Sequence, residues 1–344
     1  MINVGIIGAT GYAGVELLRL LLNHPQATVS ALSSVSFEGK KISEVYPNLT
    51  GICGHTLVDE DTVIEKSDVV FASLPHGLSE PLAKKCKMKG SIFIDLGADF
   101  RLEDENEFKK WYGLDYKEPK LHQEAVYCIP ELHREKAKKA KIIGNPGCYP
   151  TSIGLALAPA LKHGLIDPST IVIDSKSGVT GAGRGLTQTS HFPDCNEAFS
   201  PYKVASHRHT PEIEQTLSEL AGTDVTVTFV PHLLPINRGI ISTIYANAAH
   251  AGIFDTADAI YRDFYAKEPF VRVLPQGSVA NLKNVRMSNY CDISLHFDQR
   301  AGRIILVSAI DNMVKGAAGQ AIQNMNLVCG LQEDTGLSMI PPAF

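Results

Sequence analysis

Residues 2 to 14 read Ile2-Asn3-Val4-Gly5-Ile6-Ile7-Gly8-Ala9-Thr10-Gly11-Tyr12-Ala13-Gly14. A short apolar run comes first, three glycines follow at a spacing of three, and an amphipathic segment, 15–22, comes next. This order predicts a strand, a glycine turn and a helix, as in dinucleotide-binding units. Glycines there permit the tight turn, the approach of a pyrophosphate and close helix packing. The residues expected to contact a coenzyme here are Gly8, Thr10, Gly11, Tyr12, Ala13 and Gly14.

The alternation of strands and helices continues beyond this turn. Apolar runs at 29–32, 69–72, 92–96 and 141–143 predict further strands, and 78–87 predicts a helix. We therefore expect an α/β fold with a Rossmann-type, doubly wound parallel sheet. From about residue 148 the chain is richer in β-type segments separated by turns, which predicts a second, α+β domain with a mostly antiparallel sheet. A helix starting at Asn312, with Asp311 as its N-cap, is expected to end the chain. The expected domains are 1–147 with about 312–344, and about 148–311.

The segment after the second strand favours NADP(H) over NAD(H). Enzymes that use NAD usually carry an acidic residue there for the ribose 2′-hydroxyl, whereas a 2′-phosphate needs donors or a cation. This chain has Ser33 and Ser34, then Lys40, and its nearest acid is Glu38. For Lys40, a solvated surface lysine is an equal alternative. Pro75, in a loop after the third strand, is expected to border the coenzyme.

A second informative stretch is Gly144-Asn145-Pro146-Gly147-Cys148-Tyr149-Pro150-Thr151. Glycine and proline predict a turn, and the apolar run 153–161 predicts a helix after it. Cys148 is therefore expected at the start of a helix, where unpaired N–H groups and the helix dipole favour the thiolate. The other six cysteines have no such context and are expected to be packing residues. Cys148 is the predicted nucleophile.

Two later stretches offer groups that could assist this thiol. The first, Lys176-Ser177-Gly178-Val179-Thr180-Gly181-Ala182-Gly183-Arg184, would expose backbone N–H groups to an oxyanion or phosphate. We expect Ser177 and Gly178 at the coenzyme, and Gly181 and Arg184 at the substrate; a plain flexible loop is the alternative. The second, Ser206-His207-Arg208-His209-Thr210-Pro211-Glu212-Ile213, supplies histidines for acid–base chemistry. In an extended chain His207 and His209 would point the same way, with Arg208 opposite.

Composition excludes several classes of protein. The chain has 344 residues and a net charge of −5, without a long basic cluster, which argues against a nucleic-acid partner. No stretch approaches the roughly 18 apolar residues of a membrane span, and the first residues lack the features of a signal peptide. The seven cysteines include no C-x-x-C pair, and the twelve histidines show no zinc-ligand spacing. We expect no metal, reduced thiols and a cytoplasmic location.

Together these motifs resemble one family along essentially the whole chain. The stretches at 8–14, 144–151, 176–184 and 207–213, and A-I-D-N-M-V-K-G-A-A-G at 309–319, are similar to N-acetyl-γ-glutamyl-phosphate reductases of arginine biosynthesis. The resemblance implies NADPH-dependent reduction of a small-molecule acyl phosphate to a semialdehyde through a cysteine thioester, in a homodimer or homotetramer. It also implies roles for individual residues. Cys148 would be the nucleophile, His207 the favoured acid–base with His209 as neighbour or substitute, and Asn312 would meet the nicotinamide.

Other interpretations remain open from the sequence. Arg101, Asn145 and Arg208 are further candidates for binding the substrate, although surface ion pairs are the commoner use of arginine. An aspartate-semialdehyde dehydrogenase would share the fold and the cysteine chemistry, but its cysteine is followed by asparagine, where this chain has Tyr149. A non-catalytic NADP-binding redox sensor, with Cys148 as an oxidisable thiol, is the alternative of another class.

Overall fold

The computed structural model describes residues 1–344, and the chain divides into two compact units. The first unit comprises Met1–Pro146 and Ala317–Ser338, and the second comprises Gly147–Gly316 and Met339–Phe344. Each of the two contains a sheet of seven strands, so each has the means to form a core of its own.

The first unit is built on a parallel sheet with the strand order β3-β2-β1-β4-β5-β7-β6. Its strands are β1 (Ile2–Ile7), β2 (Ala27–Ser33), β3 (Leu57–Val58), β4 (Val69–Ala72), β5 (Ile92–Asp95), β6 (Val126–Tyr127) and β7 (Ile142–Gly144). The chain runs from β1 outward to β3 and then resumes at β4, on the other side of β1. Sheets of this type bind ligands at the carboxyl ends of the strands where the order reverses. The expected doubly wound parallel sheet is confirmed.

Apolar strands and amphipathic helices form the core of this unit. All four residues of β4 are buried, as is typical of a parallel sheet covered on both faces. Val70 and Phe93 of the sheet pack in one cluster with Leu82 of a helix. The helices of the unit are α1 (Tyr12–Leu21), α2 (Ile42–Val45), α3 (Glu60–Glu65), α4 (Ser79–Lys89), α5 (Glu105–Tyr112), α6 (Pro119–Glu124), α7 (Pro130–Ala137) and α12 (Gly319–Val328).

The second unit has a mixed sheet with the order β12-β13-β14-β11-β8-β10-β9. Its strands are β8 (Val172–Gly178), β9 (Ser200–Pro201), β10 (Thr228–Leu234), β11 (Ile240–Asn247), β12 (Val271–Val273), β13 (Cys291–Asp298) and β14 (Arg303–Ile310). The pairs β8–β10 and β12–β13 are parallel, and the others are antiparallel. The expected α+β domain with a mostly antiparallel sheet is confirmed.

One helix, α8 (Cys148–Lys162), lies against this sheet at β11 and β14. Residues 149–161 of α8 are all buried. Along β11 buried and half-buried residues alternate, so one face packs beneath α8 and the other is more open. Ser152 donates a hydrogen bond to Ser242 at 3.1 Å or Ser308 at 3.0 Å, which ties α8 to both strands. The remaining helices are α9 (Phe192–Cys195), α10 (Thr210–Ala221) and α11 (Ile253–Phe264). No helix of the structure is both long and apolar enough to cross a membrane.

The last helix begins later than the sequence predicts. Instead of an α-helix from Asn312, residues Val314–Ala318 form a π-helical turn, and α12 starts at Gly319. Asp311 accepts the N–H groups of Met313 and Val314, so it caps the π turn and not α12. The wider turn arises because the Gly316 N–H donates to the Asp311 carbonyl, five residues back.

Candidate functional site

Two glycines of the first turn are required by close backbone packing. Gly8 has φ +80°, and a Cβ there would lie 2.3 Å from the Ser73 carbonyl oxygen. A Cβ on Gly14 would lie 2.3 Å from the Gly8 carbonyl oxygen. Any larger residue would push β1, α1 and the loop after β4 apart. Packing within the protein is therefore enough to explain why glycine occupies these two positions.

Gly11 is different, because a Cβ there would meet only ordinary contacts, the nearest at 3.5 Å. It is the N-cap of α1, no side chain caps the helix, and the first turn contains no acidic residue. The N–H groups of Tyr12, Ala13 and Gly14 therefore open a helix N-terminus toward any anion outside it. Packing within the protein does not require glycine at position 11. A glycine there, at an uncapped helix start, leaves room for a pyrophosphate to lie against the turn.

The carboxyl end of β2 borders a cavity of about 260 Å³. Ser33 and Ser34 line it, and the Ser34 hydroxyl lies 2.6 Å from the Thr10 hydroxyl. Lys40 is exposed, outside this lining, and its Nζ lies 5.8 Å from the centre of the Phe37 ring. The cation of the cavity is Lys85, which sequence reasoning missed. Lys85 is paired with Asp61 at 2.5 Å.

Several carboxylates also line this cavity, and the sequence pattern pointed only to Glu38. The full acidic set is Glu38, Asp59, Glu60 and Asp61. Three of them are the N-cap and the first two residues of α3, which is distant in sequence from β2. The sequence pattern after the second strand therefore gives no sign of these three carboxylates.

The loop after β4 is held by a buried carboxylate. Asp99 accepts the N–H of Gly77 at 2.6 Å and that of Ser79 at 2.8 Å. Pro75 lies in this loop and is exposed. Asp95 is fully buried near Asp99. Its pKa is raised to about 6, mainly by burial and secondly by the negative charge of Asp99. The loop is therefore fixed at the edge of the sheet where a coenzyme is expected.

Arg101 and Asn145, predicted as substrate ligands, are both buried in the first unit. Arg101 donates from Nε to the Asn145 carbonyl at 2.9 Å and from Nη2 to the Leu96 carbonyl at 2.8 Å. The Asn145 amide donates to the Ala317 carbonyl and accepts from Asn324. These bonds join the carboxyl ends of β5 and β7 to the segment at α12, which is a structural use of both side chains.

In the second unit, Cys148 is the first residue of α8, and Gly147 is the N-cap. Cys148 is partly exposed, whereas Cys53, Cys86, Cys128 and Cys291 are buried. The Gly147 N–H donates to the fully buried carboxylate of Glu212 at 2.7 Å. The sequence pattern showed Glu212 only as part of a motif, and its position in the first turn of α10 explains how that motif reaches the thiol-bearing helix.

The two histidines are brought together, but not by an extended chain. His209 has φ −81° and ψ −10°, which is helical, so the alternation assumed for the pair was wrong. The chain turns here because α10 begins at Thr210. The two rings nevertheless lie 4.9 Å apart. The His209 N–H donates to His207 Nδ1 at 3.1 Å, so the neutral His207 ring carries its proton on Nε2.

Burial and two cations keep His207 neutral. Its pKa is lowered to about 4, by burial first and then by the charges of Lys203 and Arg208. Its Nε2 lies 3.5 Å from the Tyr202 hydroxyl, and that hydroxyl lies 3.1 Å from the hydroxyl of Tyr149. Both tyrosine pKa values are raised by burial first, that of Tyr202 to about 12, and the charge of Cys148 contributes to each shift. His207, Tyr202 and Tyr149 are therefore neutral hydrogen-bonding groups near pH 7, and the two tyrosines lie close enough to Cys148 for its charge to affect them.

The glycine-rich loop packs against the turn before β11. A Cβ on Gly178 would lie 2.6 Å from the Asn237 carbonyl oxygen, so this glycine is required by a close approach. The Ser177 hydroxyl is buried and donates to the Gly178 carbonyl. A Cβ on Gly181 would meet only Ser177 at 3.4 Å and Asn312 at 3.7 Å. This side of the loop has room for a ligand, and the exposed Arg184 follows it in sequence.

Asn312 is buried beside this loop, and its amide is bonded within the unit. It accepts the Gly239 N–H at 2.7 Å and donates to the Thr180 hydroxyl at 3.0 Å. These two bonds fix the amide plane. The second hydrogen of Nδ2 and the second lone pair of Oδ1 are the groups left for its expected contact with the nicotinamide.

The fold and its thiol-bearing helix define the class as a semialdehyde-dehydrogenase-type protein. A semialdehyde dehydrogenase NAD-binding domain matches residues 3–140, and a semialdehyde dehydrogenase dimerisation domain matches residues 148–312. Aspartate semialdehyde dehydrogenase II of Vibrio cholerae superposes with a TM-score of 0.72 at 16% identity, over 96% of this chain and 98% of that one. The enzyme of Candida albicans, solved with NADP, gives 0.68 at 17% identity, over 96% and 98%.

More similar relatives specify the family within this class. The chain is 60% identical to N-acetyl-gamma-glutamyl-phosphate reductase of Brachyspira hyodysenteriae, with 100% of both chains covered. It is 58% identical to the same enzyme of Clostridium botulinum strain Eklund 17B, again over 100% of both. The chain belongs to the N-acetyl-gamma-glutamyl-phosphate reductase family.

Proposed function

We propose that this chain catalyses the NADPH-dependent reduction of N-acetyl-γ-glutamyl phosphate to N-acetylglutamate 5-semialdehyde, with release of phosphate, in arginine biosynthesis. The observation that supports it most directly is Cys148 at the first position of α8, in a chain of this family. A helix N-terminus favours the thiolate, and the thiolate is the nucleophilic form of cysteine. The chain is an NADP-dependent oxidoreductase.

In the proposed reaction the Cys148 sulfur attacks the acyl carbon, the C–O bond to phosphate breaks, and a thioester forms. NADPH supplies the hydride that converts the thioester carbon to the aldehyde level. The C–S bond then breaks, and the thiolate returns. In the first unit, Gly11 and the start of α1 would bind the pyrophosphate. Ser33 and Ser34 would lie at the adenosine end, with Pro75 nearer the nicotinamide.

For the acid–base we favour His209 over His207, although the sequence resemblance favours His207. His207 accepts the His209 N–H on Nδ1, and its pKa of about 4 leaves it neutral at pH 7. A group with so low a pKa is a weak base and is almost never charged near neutral pH. His207 then serves to orient Tyr202 and the backbone at residue 209. His209 is the remaining histidine of this cluster.

The anionic groups of the substrate need donors, and the second unit supplies them. We assign them to the loop at Gly181, with Arg184 and Arg208 as the cations. Ser177 and Gly178 are less favoured, because the Ser177 hydroxyl donates to the Gly178 carbonyl and the Gly178 N–H donates to the Gly239 carbonyl. Arg208 is half-buried next to His207 and contributes to its lowered pKa. Arg101 and Asn145 are less favoured, because their side chains already bond backbone groups of the first unit.

We also propose that the chain works as a homodimer or homotetramer whose contact uses the segment 184–199. The matched domain of this unit is a dimerisation domain. Leu186, Phe192 and Phe199 are 102%, 73% and 59% exposed, which is unusual for three large apolar residues in one short segment. Light scattering should show Phe192→Asp as a smaller species than the wild type, whereas Val35→Asp, at an exposed apolar position of the first unit, should not change the mass.

The reaction is tested by running it backwards in a spectrophotometric assay. Phosphate and NADP⁺ are mixed with either N-acetylglutamate semialdehyde or aspartate semialdehyde, and NADPH formation is followed. We expect a rate with the first compound and little with the second. No rate with the first compound would overturn the proposed substrate, and a rate with aspartate semialdehyde alone would assign the chain to that reaction. None of the seven cysteines forms a disulfide, which favours a reducing compartment, and we place the enzyme in the cytoplasm.

A further inference from the structure

A buried ion pair in the second unit is not used by the chemistry described above. Arg238 donates to both carboxylate oxygens of Asp311, from Nε at 3.3 and 3.0 Å and from Nη2 to Oδ1 at 3.1 Å. The Asp311 side chain has no exposed surface, and that of Arg238 is one-fifth exposed. Burying two charges costs free energy, so such a pair is weak support for a role in stability alone.

The Asp311 carboxylate accepts three N–H groups from two backbone segments. Besides Arg238 it accepts the N–H groups of Met287 at 2.7 Å, Met313 at 2.8 Å and Val314 at 3.1 Å. Its own carbonyl accepts the Gly316 N–H at 3.0 Å, which closes the π turn. Side chain and main chain of one residue thus determine where residues 313–316 lie.

The π turn packs directly against the thiol-bearing residue. A Cβ placed on Gly316 would lie 2.8 Å from Cys148 Cβ and 3.2 Å from Cys148 Cα. The Gly316 backbone therefore packs directly against Cys148. Because close-packed atoms leave little slack, a shift of the π turn must move Cys148 or open a gap beside it.

The arginine end of the pair reaches the glycine-rich loop. Three residues next to Arg238 in sequence accept N–H groups of that loop. The Val179 N–H donates to the Ile236 carbonyl, the Thr180 N–H to the Asn237 carbonyl and the Gly178 N–H to the Gly239 carbonyl. The Arg238–Asp311 pair consequently connects the glycine-rich loop, which we propose binds the substrate, with the Gly316 backbone that contacts Cys148.

We infer that Arg238 and Asp311 are a positioning pair for the nucleophile, which holds Cys148 and the glycine-rich loop in one relative geometry. The inference rests on the proposed role of Cys148. Neither side chain touches the reacting atoms. Both act through the π turn and the loop.

The structure offers a matched control pair in the same unit. Arg272 Nε donates to Asp292 at 2.6 Å, and the Asp292 side chain is 1% exposed. This pair joins β12 and β13, at the opposite end of the sheet order from the β8–β10 side that carries the glycine-rich loop. Substitutions in either pair should cost stability, and only those at Arg238 or Asp311 change bonds at the π turn that contacts Cys148.

The experiment compares Asp311→Asn and Arg238→Gln with Asp292→Asn and Arg272→Gln. Thermal unfolding reports stability, and peptide mass spectrometry reports the rate at which iodoacetamide alkylates Cys148 between about pH 6 and 9. Turnover is measured separately. We expect both positioning-pair variants to lower kcat about ten- to a hundredfold and to shift the pH profile of alkylation, with a change in NADPH KM below about twofold. Arg238→Lys should recover part of kcat.

The control variants should lose stability while alkylation of Cys148 and kcat stay within about twofold of the wild type. The inference is overturned if all four variants show the same alkylation profile as the wild type, or if the two pairs affect it equally. If Asp311→Asn does not fold, Arg238→Gln still decides, because it leaves the three backbone bonds of Asp311 in place. Alkylation needs no substrate, so an enzyme with normal thiol reactivity but no turnover would point to the proposed function as the error.

Discussion

Two helix starts in this molecule share nearly the same backbone geometry and are used differently. Gly11, the N-cap of α1, has φ −71° and ψ 162°, and Gly147, the N-cap of α8, has φ −69° and ψ 161°. Neither helix is capped by the side chain of its N-cap residue, and neither has an acid in its first turn. Each therefore places the positive end of its helix dipole at its first residue.

The two helix starts differ in the residue after each glycine and in the partner of the glycine N–H. At α8 the next residue is Cys148, and the Gly147 N–H is taken by the buried carboxylate of Glu212. At α1 the Gly11 N–H bonds to the Gly8 carbonyl within its own turn, and nothing from outside the turn is needed. The same kind of helix N-terminus can therefore bind an anionic group of a ligand or stabilise a thiolate of the protein. Which of the two it does depends on the side chain at the first helical position.

The largest expected effect comes from removing that side chain. Cys148→Ser should lower kcat by about 10⁴-fold or more, because a serine hydroxyl at this position has no comparable anionic form at neutral pH. NADPH binding, followed by fluorescence titration, should be unchanged, since α1 is untouched. Substantial turnover in the variant would show that the α8 start is not the site of attack.

The second prediction separates the two histidines near the α8 start. His209→Asn should lower kcat by about 10²- to 10⁴-fold and remove one limb of the pH–rate profile. His207→Asn should lower kcat less and keep the shape of the profile, because His207 is already neutral above about pH 4. The reverse pattern would return the acid–base role to His207.

A third prediction concerns the α1 start alone. Gly11→Ala should raise the KM for NADPH by about tenfold, because the added methyl lies where the pyrophosphate approaches, and kcat at saturation should change little. The melting temperature should stay close to that of the wild type, since no protein atom lies closer than 3.5 Å to the new Cβ. Gly54→Ala, with nothing within 4 Å, is the matched control and should change neither quantity. An unchanged KM in Gly11→Ala would show that the coenzyme lies elsewhere.

The smallest expected effect is a pH dependence of stability in the first unit. Burial raises the pKa of Asp95 to about 6 from its ordinary value of 3.8, so the folded state holds this proton where the unfolded state has lost it. Asp95 therefore reduces stability progressively as the pH rises from about 4 to about 6. Asp95→Asn should be more stable than the wild type at pH 7, by on the order of 1–3 kcal/mol, and should lose this advantage at pH 4.

The measurement is thermal unfolding of both proteins at several pH values. Asp59 serves as a control, because its pKa shift, and so the expected change in stability, has the opposite sign. Hydrogen bonds from Thr62 lower its pKa, so Asp59→Asn should lose stability at neutral pH and not gain it. A pH-independent difference between Asp95→Asn and the wild type would contradict the raised pKa of the buried Asp95 carboxyl.

Much of the fold could be predicted from periodicity and turn residues. Alternating apolar strands and amphipathic helices predicted the doubly wound sheet, because each element must bury one face against the next. The stretch around Cys148 predicted a helix start at the thiol, and α8 begins there. The last helix was placed too early, because residue types do not reveal that the Gly316 N–H reaches the carbonyl of Asp311 and widens the turn.

The site was harder to predict where residues meet from distant segments. Lys85 and Asp59 border the cavity beside β2 only through the sheet order, and Glu212 reaches Gly147 only because α10 packs on α8. The state of His207 likewise depends on the burial of its ring and on neighbouring cations, neither of which a single sequence displays.

By itself, the sequence determined the strand–turn–helix order, the glycines that close approaches require and the residue types available for thiol chemistry, because these depend on local backbone conformation and side-chain identity. Tertiary structure alone decided that His207 is neutral, that the Glu212 carboxylate lies behind the helix start and how Arg238 and Asp311 come to support Cys148. Those properties depend on distance and burial, and both are set only when remote segments pack together.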